Sequence, residues 1–198
     1  MDSERTRLYL MRHGEVVNHG VYNGQTDVDI TPSGVKQMER LRELLKDKSL
    51  TAIYSSDLLR TKKGAKIIGQ PHGLQPEGFR ELREMNFGRW QGFTYQEVME
   101  KYPQDIPQWM NQLDTFRIPE GESILEVRER AMRKIGWFLE RHRGKEFAMV
   151  GHGALNRVIL AEALHLPIPQ LLRIEQDYGC LNIIEYASSW TVVKLING

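Results

Sequence analysis

Arg7-Leu8-Tyr9-Leu10-Met11 has strand character and breaks at once into Arg12-His13-Gly14-Glu15. The pattern returns late in the chain, where the apolar run Phe147-Ala148-Met149-Val150 turns through Gly151-His152-Gly153 into a helical stretch over 154–164. Short apolar runs that alternate with amphipathic helical stretches point to helices on both faces of one sheet. Working outward, Thr31-Pro32 reads as N-cap and first helical residue, followed by an apolar stripe of Met38, Leu41, Leu44 and Leu45. A second strand is expected over 51–55, a helix over 57–69 that stops at Gly69, and a weaker strand over 75–79. Ser123-Ile124-Leu125-Glu126 is a capping-box pattern, and the helix it opens carries Ile124, Val127, Ala131, Ile135 and Phe138 at spacings of three and four before ending near Arg143-Gly144. Two last strands, 180–186 and 191–196, read as a hairpin. The fold expected is a three-layer α/β/α sandwich around a mostly parallel central sheet of about six strands. A single domain is expected over 1–198, with an excursion over the active site at about 80–122, punctuated by Pro103, Pro107 and Pro119 and holding a capping box at Thr94.

Composition narrows the function. Hydrophobic residues make up 40% of the 198 and charged residues 27%, which fits a packed core and excludes a disordered or fibrous chain. Lys plus Arg is 27 against 26 Asp plus Glu, a net charge of +1, so no overall field favours nucleic acid or an anionic membrane. Any anion specificity must be local. The lone Cys180 excludes an internal disulfide, and the short apolar run after Met1-Asp2-Ser3-Glu4-Arg5 gives neither an export signal nor a membrane span. The location expected is cytoplasmic.

In an open α/β sheet, ligands bind beyond the carboxyl ends of the strands. Four polar groups fall at such ends: Arg12-His13-Gly14-Glu15, Ser55-Ser56-Asp57 with Arg60, Glu84, and His152-Gly153. Singly, each has a bland reading, such as a surface arginine at 60 or a backbone-bonded imidazole at 152. Their conjunction does not. No Cys/His spacing or carboxylate cluster completes a metal site, so neither metal nor cofactor is expected.

The blocks that hold these groups resemble the histidine phosphatase superfamily, the phosphoglycerate-mutase-like proteins, across nearly the whole chain. They are Leu10-Met11-Arg12-His13-Gly14-Glu15 with Asn18, Tyr22, Gly24, Thr26-Asp27 and Thr31-Pro32-Ser33-Gly34; 53–61 with Arg60; 82–92 with Glu84; Pro119-Glu120-Gly121-Glu122-Ser123; and Val150-Gly151-His152-Gly153. Asn86 and Gln91 stand where acidic residues are usual, and Val16 replaces the commoner Thr or Ser. The segment between Gly92 and Glu122 is shorter than in cofactor-dependent mutases, which under this resemblance argues for phosphatase over mutase.

The residue types suit phosphoryl transfer, in which a group with charge spread over three oxygens must be positioned and stabilised. Arg12 and Arg60 offer planar forks for phosphate oxygens, Asn18 a further donor, and the helix start at Ala154 backbone N–H groups. His13 is the candidate nucleophile, its second ring nitrogen donating to a backbone carbonyl. The resemblance places His152 opposite it as donor to an equatorial oxygen. Glu84 is the candidate general acid and later base, with Glu81 as rival. Glu15 is expected to orient Arg12, and Trp90, Tyr95, Tyr102 and Trp109 are read as packing more than as pocket wall. The implied partner is a small-molecule phosphate ester, with no nucleic acid and no membrane. Oligomeric state is left open, a homodimer being one option. The resemblance is greatest to α-ribazole-5′-phosphate phosphatases of cobalamin biosynthesis; a broad-specificity sugar-phosphate phosphatase, a phosphoglycerate mutase and a noncatalytic phosphate-binding module are the alternatives.

Overall fold

The computed structural model describes residues 5–198; Met1 to Glu4, which bear on the export-signal reading, lie outside the described residues. Six strands form one sheet: β1 (Thr6–Arg12), β2 (Leu50–Ser56), β3 (Glu77–Phe79), β4 (Glu146–Gly151), β5 (Leu181–Tyr186) and β6 (Thr191–Leu195), in the order β3-β2-β4-β1-β5-β6. The first four run parallel, and β5 and β6 join antiparallel at the β1 side. The layered α/β reading holds.

Side-chain alternation along each strand builds two cores. Tyr9, Met11, Ile53, Ala148 and Val150 meet Met38, Leu41 and Leu45 of α1 (Pro32–Leu45) and Ala65 and Ile68 of α2 (Leu59–Gly69) on one face. Leu8, Leu10, Tyr54, Phe147 and Met149 meet Val127, Ala131, Ile135 and Phe138 of α5 (Ile124–Arg141) and Leu155 and Ile159 of α6 (Gly153–Ala163) on the other. The capping box at Ser123 is formed, its hydroxyl accepting from Glu126 N–H and the Glu126 carboxylate accepting from Ser123 N–H.

The structure corrects some boundaries and one core position. Leu44, expected in the α1 stripe, is 52% exposed, because the buried face follows Met38, Leu41 and Leu45. The helix expected to begin at Asp57 begins at Leu59: Asp57 is drawn aside into a bidentate pair with Arg83, and Leu59 N–H is capped by the carboxylate of distant Asp27. α5 stops at Arg141, two residues short of the expected end.

Residues 80–122 hold α3 (Tyr95–Lys101), opened by the Thr94 capping box, and α4 (Asp105–Asn111). α4 is not expected from the sequence, where Pro107 reads as punctuation. Pro107 occupies its first turn, where a missing N–H leaves no intrahelical bond unmade. Trp90, Val98, Ile106, Leu113 and Ile118 are buried and join the α5/α6 core, with Trp90 Nε1 donating to Asp105 at 2.8 Å. The two ends of the segment meet at Gly88, at φ 47°, where a Cβ would lie 2.1 Å from the Pro119 carbonyl oxygen.

Candidate active site

Because β1 and β4 are adjacent and parallel, with Arg12 in register with Gly151, the residues just beyond their ends meet. His13 N–H donates to Gly151 O at 3.1 Å. Gly14 passes so close to the start of α1 that a Cβ would sit 2.2 Å from Gly34 O, and this contact seats the His13 turn. The two imidazoles face one another edge to face, their centroids 5.2 Å apart.

Their ring nitrogens are used differently. His13 Nδ1 lies 2.8 Å from its neighbour's carbonyl, Gly14 O. A carbonyl only accepts, so Nδ1 carries the proton. Burial first, then the charges of Arg12 and Arg60, holds His13 well below the usual histidine range. The ring is therefore neutral, and Nε2 keeps its lone pair. His152 is fully buried; its Nε2 is 2.8 Å from Ser56 Oγ, and its Nδ1 has no partner among the described residues. Burial, then Arg60 and His13, depresses it likewise.

Beside His13 lies a cavity of about 240 Å³ lined by Arg12, His13, Arg60, Glu84 and Arg157 on the polar side and by Tyr22, Phe87, Trp109, Ile124 and Leu171 on the apolar side; the fully buried His152 stands behind this lining and is not part of it. Arg12 is held by Gln176 O at 2.6 Å and by the Tyr178 ring, 3.8 Å below its guanidinium. Arg60, 1% exposed, is fixed by the Gly24 and Thr26 carbonyls at 2.6 and 2.8 Å. Burial lowers its pKa. The Glu84 carboxylate accepts from the N–H groups of Met85, Ala154 and Leu155, at the N-terminus of α6 where the helix dipole favours an anion. Three arginines, the neutral His13 ring and a carboxylate line one space, with the His152 ring against His13, a set suited to binding an oxyanion.

A family model described as the histidine phosphatase superfamily, branch 1, matches residues 8–198. The chain belongs to that superfamily. It is 30% identical over 194 residues to a probable phosphoglycerate mutase GpmB of Yersinia pestis, covering 94% of this chain and 90% of that one. Among solved structures, an α-ribazole phosphatase from Shigella flexneri superposes with a TM-score of 0.87 at 26% identity, covering 97% of this chain and 96% of that one. Bacillus stearothermophilus YhfR gives 0.88 at 27%, with 96% of each chain covered. The chain is thus an enzyme of the histidine phosphatase class.

Within this histidine phosphatase, some expected site residues stand elsewhere. Asn18 is exposed and does not line the cavity; its carbonyl accepts from Asn23 Nδ2, and Asn23 takes the place on the wall. The Ala154 N–H, expected to meet phosphate, donates to Glu84 instead. Glu15 does not orient Arg12 but accepts from Thr31 Oγ1 at 2.9 Å. Glu81 pairs with Lys134 at 3.1 Å and stays out of the cavity lining. Of the four aromatics, Trp109 lines the cavity, Trp90 is fully buried, Tyr102 stacks on Arg89 and Tyr95 is 58% exposed.

The sequence reading gave no role to Ser56, Arg130, Arg157, Gln176 or Tyr178. Ser56 anchors His152. Arg130 donates to the carbonyls of Glu81, Arg83 and Glu84 and to the Glu122 carboxylate, holding the loop that carries Glu84. Of these five, Ser56 alone carried a signal, as part of the Ser55-Ser56-Asp57 cluster at a strand end.

Proposed function

We propose that this protein is a phosphomonoesterase that works through a phosphohistidine at residue 13. One observation carries the reading: a neutral, buried His13 whose Nδ1 is tied to its own backbone, leaving Nε2 as a lone-pair donor beside Arg12, Arg60 and His152. Nε2 attacks phosphorus, the N–P bond forms as the ester P–O bond breaks, and the departing alcohol takes the proton held by Glu84. Water then attacks the phosphohistidine, giving its proton to the Glu84 carboxylate, and the P–N bond pair returns to His13. Arg12 and Arg60 hold the equatorial oxygens throughout. His152 donates from Nδ1, which requires Ser56 to donate to Nε2, with Thr61 Oγ1 at 2.7 Å and Leu58 N–H at 3.2 Å supplying the serine oxygen's remaining bonds.

The substrate is a small organic phosphate ester. α-Ribazole 5′-phosphate, by the likeness to the Shigella flexneri enzyme, and sugar phosphates are the candidates, in a cytoplasmic setting. The 80–122 segment acts as the roof of the site within a single domain, since Glu84, Phe87 and Trp109 reach the cavity from it. A screen of phosphate release over α-ribazole phosphate, sugar phosphates, phosphoglycerates and nucleotides, with His13→Ala as blank, tests this reading. Conversion of 3-phosphoglycerate to 2-phosphoglycerate in the presence of the bisphosphorylated cofactor, without free phosphate, would favour the mutase activity named for the Yersinia pestis relative.

A further inference from the structure

Arg157 stands in the second turn of α6, and helical side chains slant toward the N-terminus, so its head returns over Gly153 at the helix start. A Cβ on Gly153 would lie 3.3 Å from Arg157 Nη1, 3.4 Å from Glu84 Oε2 and 3.7 Å from Arg12 Cζ. Three charged groups therefore converge on one glycine at the cavity floor. Arg157 Nε donates to Ile174 O at 2.7 Å, while its two terminal nitrogens have no acceptor among the described residues. Glu84 does not pair with it; that carboxylate is occupied by backbone N–H groups. The carbonyl that orients Arg12, Gln176 O, belongs to the same short segment, so 174–176 aims both guanidiniums into one space. A half-buried arginine held by one nitrogen, with its fork directed into a ligand cavity, is a recognition group for an oxyanion.

We propose that Arg157 forms a second anion subsite, and that the preferred substrate is a phosphate monoester bearing another anionic group, a carboxylate or a second phosphate. The inference rests on the phosphatase reading. Arg12, Arg60 and Arg157 line one cavity, so a phosphoryl group gripped by the first two leaves the Arg157 fork for a second anion. Burial, then the neighbouring Arg12, lowers the Arg157 pKa, the mark of a cation that gains from a counter-charge. The apolar wall of Phe87, Ile124 and Leu171 leaves the carbon skeleton between the two anions in contact with hydrophobic surface.

The test compares matched pairs: 3-phosphoglycerate against glycerol 3-phosphate for a carboxylate, and fructose 1,6-bisphosphate against fructose 6-phosphate for a second phosphate. p-Nitrophenyl phosphate reports the chemistry itself. In the wild-type enzyme, kcat/KM favours the acidic member of at least one pair by about tenfold or more, and that pair identifies the anion. In Arg157→Gln, the ratio within the pair collapses toward one, mainly through KM, and Arg157→Lys restores part of it. Wild-type ratios near one in both pairs would overturn the subsite. So would an Arg157→Gln variant that lowers both members equally, because an arginine that only ties down residues 174–176 cannot distinguish them. Failure of every ester, p-nitrophenyl phosphate included, overturns the phosphatase reading and the subsite with it. A confirmed ratio also sorts the candidate substrates, since α-ribazole 5′-phosphate offers Arg157 no second anion.

Discussion

The ends of β1 and β4 are built alike and used differently. Each is a parallel central strand that turns at a histidine followed by a glycine, and each imidazole is buried and held neutral by burial and nearby arginines. They differ in which nitrogen is pinned: Nδ1 of His13 by its own Gly14 carbonyl, Nε2 of His152 by the Ser56 hydroxyl from β2. Local backbone thus frees Nε2 in one ring, and a neighbouring strand frees Nδ1 in the other. One strand-end device pins a different nitrogen in each ring, and the hydrogen-bond partner decides which.

The largest effect that would break this comparison is at the proposed nucleophile. His13→Ala loses roughly ten-thousandfold or more in kcat while circular dichroism stays that of the parent; undiminished turnover would mean the two rings are not differentiated as described. Glu84→Gln loses about a hundredfold to ten-thousandfold on alkyl phosphates and far less on p-nitrophenyl phosphate, whose leaving group needs little protonation. Equal losses on both would remove the acid role. Ser56→Ala sharpens the contrast, because it releases only the His152 ring; the loss is about tenfold to a hundredfold in kcat with KM little changed, as expected for one buried hydrogen bond. A loss confined to KM would show that Ser56 does not act through His152.

The smallest effect is on stability. Both rings have a folded pKa below the unfolded value near 6.5, so as pH falls through that value the unfolded chain takes up protons that the folded chain refuses. Stability is complete above this point and falls below it, with a slope approaching about 1.4 kcal/mol per pH unit for each imidazole. Denaturant unfolding of wild type and His152→Asn between pH 7 and 5 checks this: the variant falls less steeply, and parallel curves would mean that His152 takes no part.

Much of this was legible in the sequence, for identifiable reasons. The strands and helices announced themselves where local rules and packing agreed, as in the Ser123 capping box followed by the Val127, Ala131, Ile135 and Phe138 stripe. Leu44 looked like core because a stripe read by spacing has no means of knowing how wide the buried face is. The residues that line the site at strand ends were visible as residue types, but their supports were not. Gln176, Arg130 and Arg157 act through contacts that span many residues, and Arg130 on an amphipathic helix looks the same whether it meets solvent or five acceptors. A helix N-terminus attracts anions, which makes the Ala154 N–H look like a phosphate donor, but the group it holds is the Glu84 carboxylate.

Where the phosphoryl group resides between the two steps tests the proposed phosphohistidine most directly. An alkaline quench of the enzyme during turnover of a labelled ester, followed by peptide mapping, is expected to find an acid-labile phosphoramidate on the peptide that contains His13 and none in His13→Ala. Label on a serine, an aspartate or His152, or equal labelling of the His13→Ala variant, would contradict it.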